Sequence, residues 1–264
     1  MDKFEIVSSN FLELASEQRL RILSALNSKP YRVSKLAKKL DVTSQEIHRN
    51  LERLSNAGFV IKKSDEHYHI TTIGQLMLSQ MPIMFFITKN QKYFSTHDIG
   101  ILPTKFSRRL GVLENCEHIQ GVTNVLDKWK KIYQNSTEFI HDIISESPGM
   151  DEILVKRINK GVKYRHIVTS DLDEPEDRTS KLKKLGYYDL IKSQKIERKE
   201  IMTTKTILIL NEKEAGIIFP TFDGTPDLRH MFYGNSSMFL DWAVDYFEHY
   251  WKKAKKISRV SHNA

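Results

Sequence analysis

The stretch that most constrains this chain is residues 31 to 63, YRVSKLAKKLDVTSQEIHRNLERLSNAGFVIKK, where apolar periodicity, turn chemistry and charge agree. Val33, Leu36, Ala37 and Leu40 recur at helical spacing, and Ile47, Leu51 and Leu54 form a second set. Asp41-Val42 lies between them as a turn. Thr43 with Glu46 three residues on makes a capping box, in which the hydroxyl accepts an orphan amide of the first turn and the carboxylate reaches back to the cap amide. The second helix therefore begins at Thr43. Asn56-Ala57-Gly58 ends it, Gly58 supplying the left-handed backbone of a helix stop, and Phe59-Val60-Ile61 has the residue types of a strand.

With Ile47, Leu51 and Leu54 turned inward, the outer face of this helix carries Ser44, Gln45, His48, Arg49, Glu52 and Arg53. These are hydrogen-bonding side chains rather than the Lys/Glu ladder of a solvated helix, although one helix alone reads equally well as an amphipathic surface element. Two helices at this spacing, the second capped and ending L-x-x-A-G-F-V before a hairpin, resemble the winged helix-turn-helix of ArsR-like transcription regulators over roughly residues 10 to 75. The resemblance implies that the second helix lies in the major groove of duplex DNA. Position by position it implies base or phosphate contacts from Thr43, Ser44, Gln45, His48, Arg49 and Arg53, with Lys62, Lys63 and His67 at the edges of the wing. Asp65 and Glu66 at the wing tip depart from that pattern, since they repel phosphate.

Charge is distributed to match. Residues 19 to 63 hold eleven Lys/Arg against three Asp/Glu, whereas residues 76 to 250 hold 24 of each sign. The positive field is thus expected on the helix-turn-helix, as a phosphate-binding surface requires. A second basic run, Lys252, Lys253, Lys255, Lys256 and Arg259, reads as a solvated helix end favoured by the macrodipole. At 264 residues the chain has room for two domains, and its single cysteine, Cys116, excludes an internal disulfide framework and a Cys-based zinc site. A reducing, cytoplasmic setting is expected: the N-terminus lacks signal-peptide character, and the most apolar run, MPIMFFI at 81 to 87, falls far short of the roughly 20 residues of a membrane span.

Residues 10 to 26 are expected to form the scaffold helix, preceded by a turn, that packs behind the helix-turn-helix in the resembling family, broken by Asn27 to Pro30. After the hairpin of 59 to 63 and 68 to 71, Thr71 or Thr72 caps a helix that Pro82 must kink or restart, because proline has no amide to donate. That segment serves either as a dimer interface or as a linker helix. The His97-Asp98 pair is by itself weak evidence of catalysis. Strands are expected at 139 to 145 and 162 to 169 around a helix at 148 to 160, making a parallel strand-helix-strand unit. Further expectations are a helix at 181 to 190, strands at 194 to 200, 203 to 210 and 215 to 220, a loop at 221 to 235 and a helix at 238 to 253.

The order H-D-I-x-x-x-P, G-V-x-Y-R-x-I, a hairpin, D-G and W-A-x-D-Y-F-x-x-Y-W is similar to the C-terminal output domain of archaeal winged-helix regulators, distantly like the sensor half of TrmB-like sugar regulators. It implies ligand sensing or dimerisation on a fold related to phospholipase D. The phospholipase motif H-x-K-x-x-x-x-D follows none of the ten histidines, and G-x-S-x-G, H-E-x-x-H, the P-loop and G-x-G-x-x-G are missing too. No catalytic residue, metal ligand or cofactor is therefore expected, and an enzyme with a DNA-binding appendage is the weakest reading. For a small anionic or polyol effector the candidates are Arg165, His166, Arg178, Asp223 and Arg229, with Asp227 and His230 beside them. Each reads also as a surface ion pair.

The expectation is thus a two-domain protein, α/β and α+β in class. A winged helix-turn-helix at 1–75 is followed by linker or dimerisation helices at 76–125 and a mixed α/β regulatory sheet domain at 126–264. Its expected partners are double-stranded DNA, a second copy of itself and a small-molecule effector, with no membrane. A constitutive architectural or basal transcription factor is the alternative.

Overall fold

The computed structural model describes residues 2–99, 102–144, 149–169, 176–202 and 204–257. The chain divides into two compact units, Met1–Pro82 and Ile83–Ala264.

The first unit contains α1 (Lys3–Leu14), α2 (Glu17–Ser28), α3 (Val33–Leu40), α4 (Ser44–Asn56), a hairpin of β1 (Val60–Lys62) and β2 (Tyr68–Ile70), and α5 (Thr72–Leu78). Its core joins Ile22, Leu23 and Leu26 of α2, Leu36 of α3, and Ile47, Leu51 and Leu54 of α4 with Phe59, Val60 and Tyr68 of the hairpin. The helix expected over 10 to 26 is two helices. Ser16 caps α2 by accepting the Arg19 amide, and the buried Arg19 guanidinium donates to the carbonyls of Glu13 (2.6 Å) and Leu12 (2.9 Å). Those carbonyls lose helical partners at the end of α1, and Arg19 replaces them. Asp41 closes α3 in the left-handed region (φ 54°), which aspartate tolerates better than most residues.

The hairpin is antiparallel, with Val60 opposite Ile70 and Lys62 opposite Tyr68. Thr71 follows it as the cap of α5, its hydroxyl accepting from the Gly74 amide. Gly74 is needed for close approach: a Cβ there would sit 2.2 Å from the Phe59 carbonyl oxygen. The next helix, α6 (Met81–Lys89), starts afresh after a break at Ser79-Gln80. Pro82 lies in its first turn, where a missing amide costs nothing. Of the two outcomes open to Pro82, the helix is restarted rather than kinked.

The second unit continues with α7 (Gln91–Phe94), α8 (Thr104–Ser107), a 3-10 turn (Leu110–Leu113), β3 (Glu117–Gln120), α9 (Val122–Asn135), β4 (Phe139–Ile144), α10 (Asp151–Asn159) and β5 (Lys163–Thr169). Then come α11 (Glu176–Lys184), α12 (Tyr187–Lys192), β6 (Ile196–Ile201), β7 (Ile207–Asn211), β8 (Ala215–Ile218), β9 (His230–Gly234), α13 (Ser237–Lys253) and β10 (Lys255–Lys256). The strands form one eight-stranded sheet in the order β10-β6-β5-β4-β7-β8-β9-β3. β4, β5 and β6 run parallel, as expected of a strand-helix-strand unit, and the remaining neighbours are antiparallel.

Helices cover both faces, so β7 is buried at every position. Leu208 and Leu210 point to a cluster built with α13 and residues 86–116, while Ile207 and Ile209 point to one built with α9, α10 and α12. Residues 86–116, expected to be linker or dimerisation helices, supply Phe86, Tyr93, Leu102, Phe106, Leu110, Leu113 and Cys116 to the first of these clusters. The loop expected over 221 to 235 contains β9, whose Met231 and Phe232 are buried between β8 and β3. The helix expected over 181 to 190 is α11 and α12, parted by Gly186 at φ 73°. Among the described residues, no helix is long and apolar enough to cross a membrane.

Candidate nucleic-acid interface

The geometry of α4 begins at its cap. Thr43 Oγ1 accepts from the Glu46 amide (3.2 Å), and Glu46 Oε2 accepts from the Thr43 amide (3.0 Å) and hydroxyl (2.9 Å), which holds the Glu46 carboxyl below its ordinary range. The Thr43 hydroxyl is thus engaged in the cap. On the inner side Ile47, Leu51 and Leu54 are fully buried, and Asn50 donates to Gln18 Oε1 (2.5 Å) and to the Glu46 carbonyl (2.9 Å). Asn50 is a positioning residue that sequence periodicity did not reveal: a polar side chain on the apolar stripe was the available signal.

The outer face divides into engaged and free groups. Arg53 makes a two-pronged pair with Glu13, Nε to Oε2 at 2.9 Å and a terminal nitrogen to Oε1 at 2.6 Å. Glu13 also meets Arg19 at 3.2 Å, and these contacts, Arg53 first, hold its carboxyl low. Arg53 therefore fastens α4 to the end of α1. On the hairpin, Lys62 pairs with Glu66. His67 closes the turn on Asp65, whose carboxylate accepts the His67 amide at 3.1 Å. Lys63 is exposed and has no carboxylate partner among the described residues.

Ser44, Gln45, His48, Arg49 and Glu52 are exposed, and among the described residues none of their side chains is hydrogen-bonded or ion-paired. Together with Val33 and Glu46 they line one open concavity. Of the eleven cations between 19 and 63, four are paired: Arg19 and Arg53 with Glu13, Arg21 with Glu17, and Lys62 with Glu66. The other seven are Lys29, Arg32, Lys35, Lys38, Lys39, Arg49 and Lys63. Over residues 1–82 there are twelve Lys/Arg and nine Asp/Glu, so the field is weaker than the window from 19 to 63 implies.

The four effector candidates of the second unit whose side chains are described do not converge. Arg165 and His166 are neighbours on β5, and successive strand residues face opposite sides of a sheet. Arg165 pairs with Glu248 and lies 4.1 Å over the Trp251 ring, under α13. His166 lies on the other face, buried, its Nδ1 2.5 Å from the fully buried Asp142, which also accepts from the Tyr133 and Tyr164 hydroxyls. Asp223 closes its own turn by accepting from the Thr221 hydroxyl (2.5 Å) and the Thr225 amide (2.9 Å). The Arg178 side chain, like Arg259, lies outside the described residues.

Arg229 pairs with Asp227 at 3.0 Å, and here the structure assembles a group the sequence did not disclose. His97 Nε2 meets Asp227 Oδ2 at 3.2 Å, its ring stacked 3.7 Å from Tyr93, while His118 Nε2 and His230 Nδ1 are 3.1 Å apart. His97 is therefore partnered with Asp227, and its neighbour Asp98 gives its amide to the Pro220 carbonyl. Burial, together with His230, His97 and Lys89, pushes His118 down to about 4. Despite the three imidazoles, among the described residues no group of three or more His, Cys, Asp or Glu side chains is placed to hold a metal ion.

The family-model match lies mainly in the first unit. Residues 9–85 match the family model described as the HVO_A0261 N-terminal domain. No curated protein matches the chain. Among solved structures the chain is similar to TrmBL2, described as an archaeal chromatin protein with a novel mode of DNA binding, at 14% identity and a TM-score of 0.43, over 97% of this chain and 100% of that one. It is also similar to Nuc from Salmonella typhimurium, a phospholipase D family member, at 8% identity and a TM-score of 0.40, over 53% of this chain and 97% of that one. Similarities of that size leave function to be argued from the residues.

Proposed function

We propose that the chain is a DNA-binding transcriptional regulator whose first unit acts as a winged helix, with α4 reading the major groove of an operator. The observation that carries this reading is the free face of α4. Ser44, Gln45, His48 and Arg49 are donors and acceptors of the kind that read base edges, and among the described residues they stand unpaired on a helix fixed by a capping box, Asn50 and Arg53. Lys35, Lys38 and Lys39 of α3 and Lys63 just after β1 lie in the same unit, have no carboxylate partner among the described residues, and supply phosphate contacts. Selection of binding sites from a random duplex pool tests the reading. Gln45→Ala and Arg49→Ala should each weaken the selected site by roughly 1–3 kcal/mol, and equal losses on random DNA would demote them to phosphate contacts. Failure to enrich any site would overturn the proposal.

The regulator acts as a homodimer. α1 buries only Leu14 and leaves Phe4, Val7 and Phe11 exposed, and α5 exposes Ile73 and Leu76. A helix of this length is marginal in water without a packed face. A second copy covering these residues would set two recognition helices on half-sites about 34 Å apart or a multiple of it. Phe4→Ser with Phe11→Ser should yield a monomer in sedimentation equilibrium.

One observation favours a constitutive, architectural role over effector sensing. Among the described residues, Arg165, His166, Asp223 and Arg229 are each engaged with a separate partner rather than gathered around one space for a small anion. DNA affinity should then be unchanged by any small molecule that raises the thermal midpoint of the protein.

A further inference from the structure

The excess of positive over negative charge in the second unit falls after residue 250. Acids and bases balance over residues 76 to 250, and the excess follows as Lys252 and Lys253 in the last turn of α13 and Lys255 and Lys256 in β10. All four lysines are exposed, and among the described residues none has an ion-pair partner.

That lack of partners is built into the fold. Glu248 stands four residues before Lys252, the favourable arrangement for a helical ion pair, yet its carboxylate is turned to Arg165. Asp245 is likewise taken by Arg109 at 2.7 Å. Across the strand pair Lys255 faces Glu200, without an ion pair, and Lys256 faces Lys199, whose ammonium donates to the Trp251 carbonyl at 2.8 Å. Lys105 and Lys253 both bear on His249, so positive charge extends towards α8. Lysine on an edge strand discourages pairing with other sheets, and one cation suits a helix C-terminus. Neither role accounts for Glu248 being turned away from Lys252.

We propose that Lys252, Lys253, Lys255 and Lys256 form a second, sequence-independent contact for the phosphate backbone of nucleic acid. The proposal rests on the reading of the chain as a DNA-binding protein and adds to it a surface remote in sequence from α4. Each lysine that displaces a counterion contributes to the salt dependence of binding, with a slope of about 0.9 in log affinity against log salt per phosphate neutralised.

Fluorescence anisotropy of the full chain on a duplex of random sequence, across a salt series, tests it. Replacing all four lysines by glutamine should reduce the slope by roughly 3 to 4, and Lys252→Gln with Lys253→Gln should remove about half of that. Arginine at the four positions should preserve the slope. Should the fourfold glutamine chain fail to fold by circular dichroism, the twofold variant decides. An unchanged slope would overturn the proposal while leaving the α4 reading intact, since Arg49→Ala would still discriminate the selected site. No duplex binding by the natural sequence would overturn both. Lysine-dependent capture on phosphatidylserine vesicles with an unchanged duplex slope would assign the surface to lipid and overturn the proposal.

Discussion

Arg49 and Arg53 stand one helical turn apart on α4, and the structure separates what the sequence treated alike. Arg53 is held by Glu13, while Arg49 has no partner among the described residues. Arg53→Ala should therefore lower the thermal midpoint of the first unit and Arg49→Ala should leave it unchanged, as differential scanning fluorimetry would show. Glu212 offers a second test at this scale. Its carboxylate, in the turn between β7 and β8, accepts from the Thr137 hydroxyl (2.7 Å) and the amides of Thr137, Glu138 and Phe139 at the start of β4. Burial opposes its charge, but these donors prevail and bring it down to about 2. A lowered carboxylate stabilises the fold above its unfolded pKa near 4.5, and that stability is lost as pH falls towards 2. Glu212→Gln should cost about 1–3 kcal/mol at neutral pH, and chemical denaturation should find the difference shrinking below pH 4.5.

At the scale of elements, β3 pairs with β9 at one edge of the sheet, His118 opposite Phe232 and Gln120 opposite His230. Around His118 lie His230, His97 and Lys89, with Asp227 and Arg229 beyond them. A lowered histidine stabilises the fold when neutral. Its contribution is complete above the unfolded value of 6.5 and is lost as pH falls from 6.5 to about 4, on the order of 1–2 kcal/mol after solvent screening. The hydrogen-exchange protection factors of the β3 amides should fall as pH drops across that window, and His118→Phe should flatten the response. Gly74→Ala probes the seat of α5: the new Cβ meets the Phe59 carbonyl, for which about 1–3 kcal/mol is a minimum. Elements with long periodic patterns were legible in the sequence, as α4 and α13 show. The break between α1 and α2 was not, because it depends on Arg19 reaching back to carbonyls six and seven residues earlier. Nor was β9, whose short run between turns shows no alternation.

At the scale of the molecule, the free face of α4 was readable because cap, apolar stripe and polar face all lie within thirteen residues of sequence. The pairing of Arg53, however, spans forty residues, and the His97, His118, Asp227 and His230 group spans more than a hundred. Contacts of that range follow from topology, which local patterns do not specify. The separation of Arg165 from His166 was within reach, since the strand containing them was recognised and alternation alone puts them on opposite faces. The charge map changed for a related reason: acids just outside the basic window, Glu13, Glu17 and Glu66, fold back onto it.

Whether the exposed face of α4 meets DNA is decided by nuclear magnetic resonance mapping of the isotope-labelled full chain titrated with a selected duplex. The amides and side chains of Ser44, Gln45, His48 and Arg49 should shift together with Lys35, Lys38 and Lys63, while Arg53 and its Glu13 partner keep their resonances. Shifts that leave α4 untouched and fall wholly on the second unit would contradict the α4 reading.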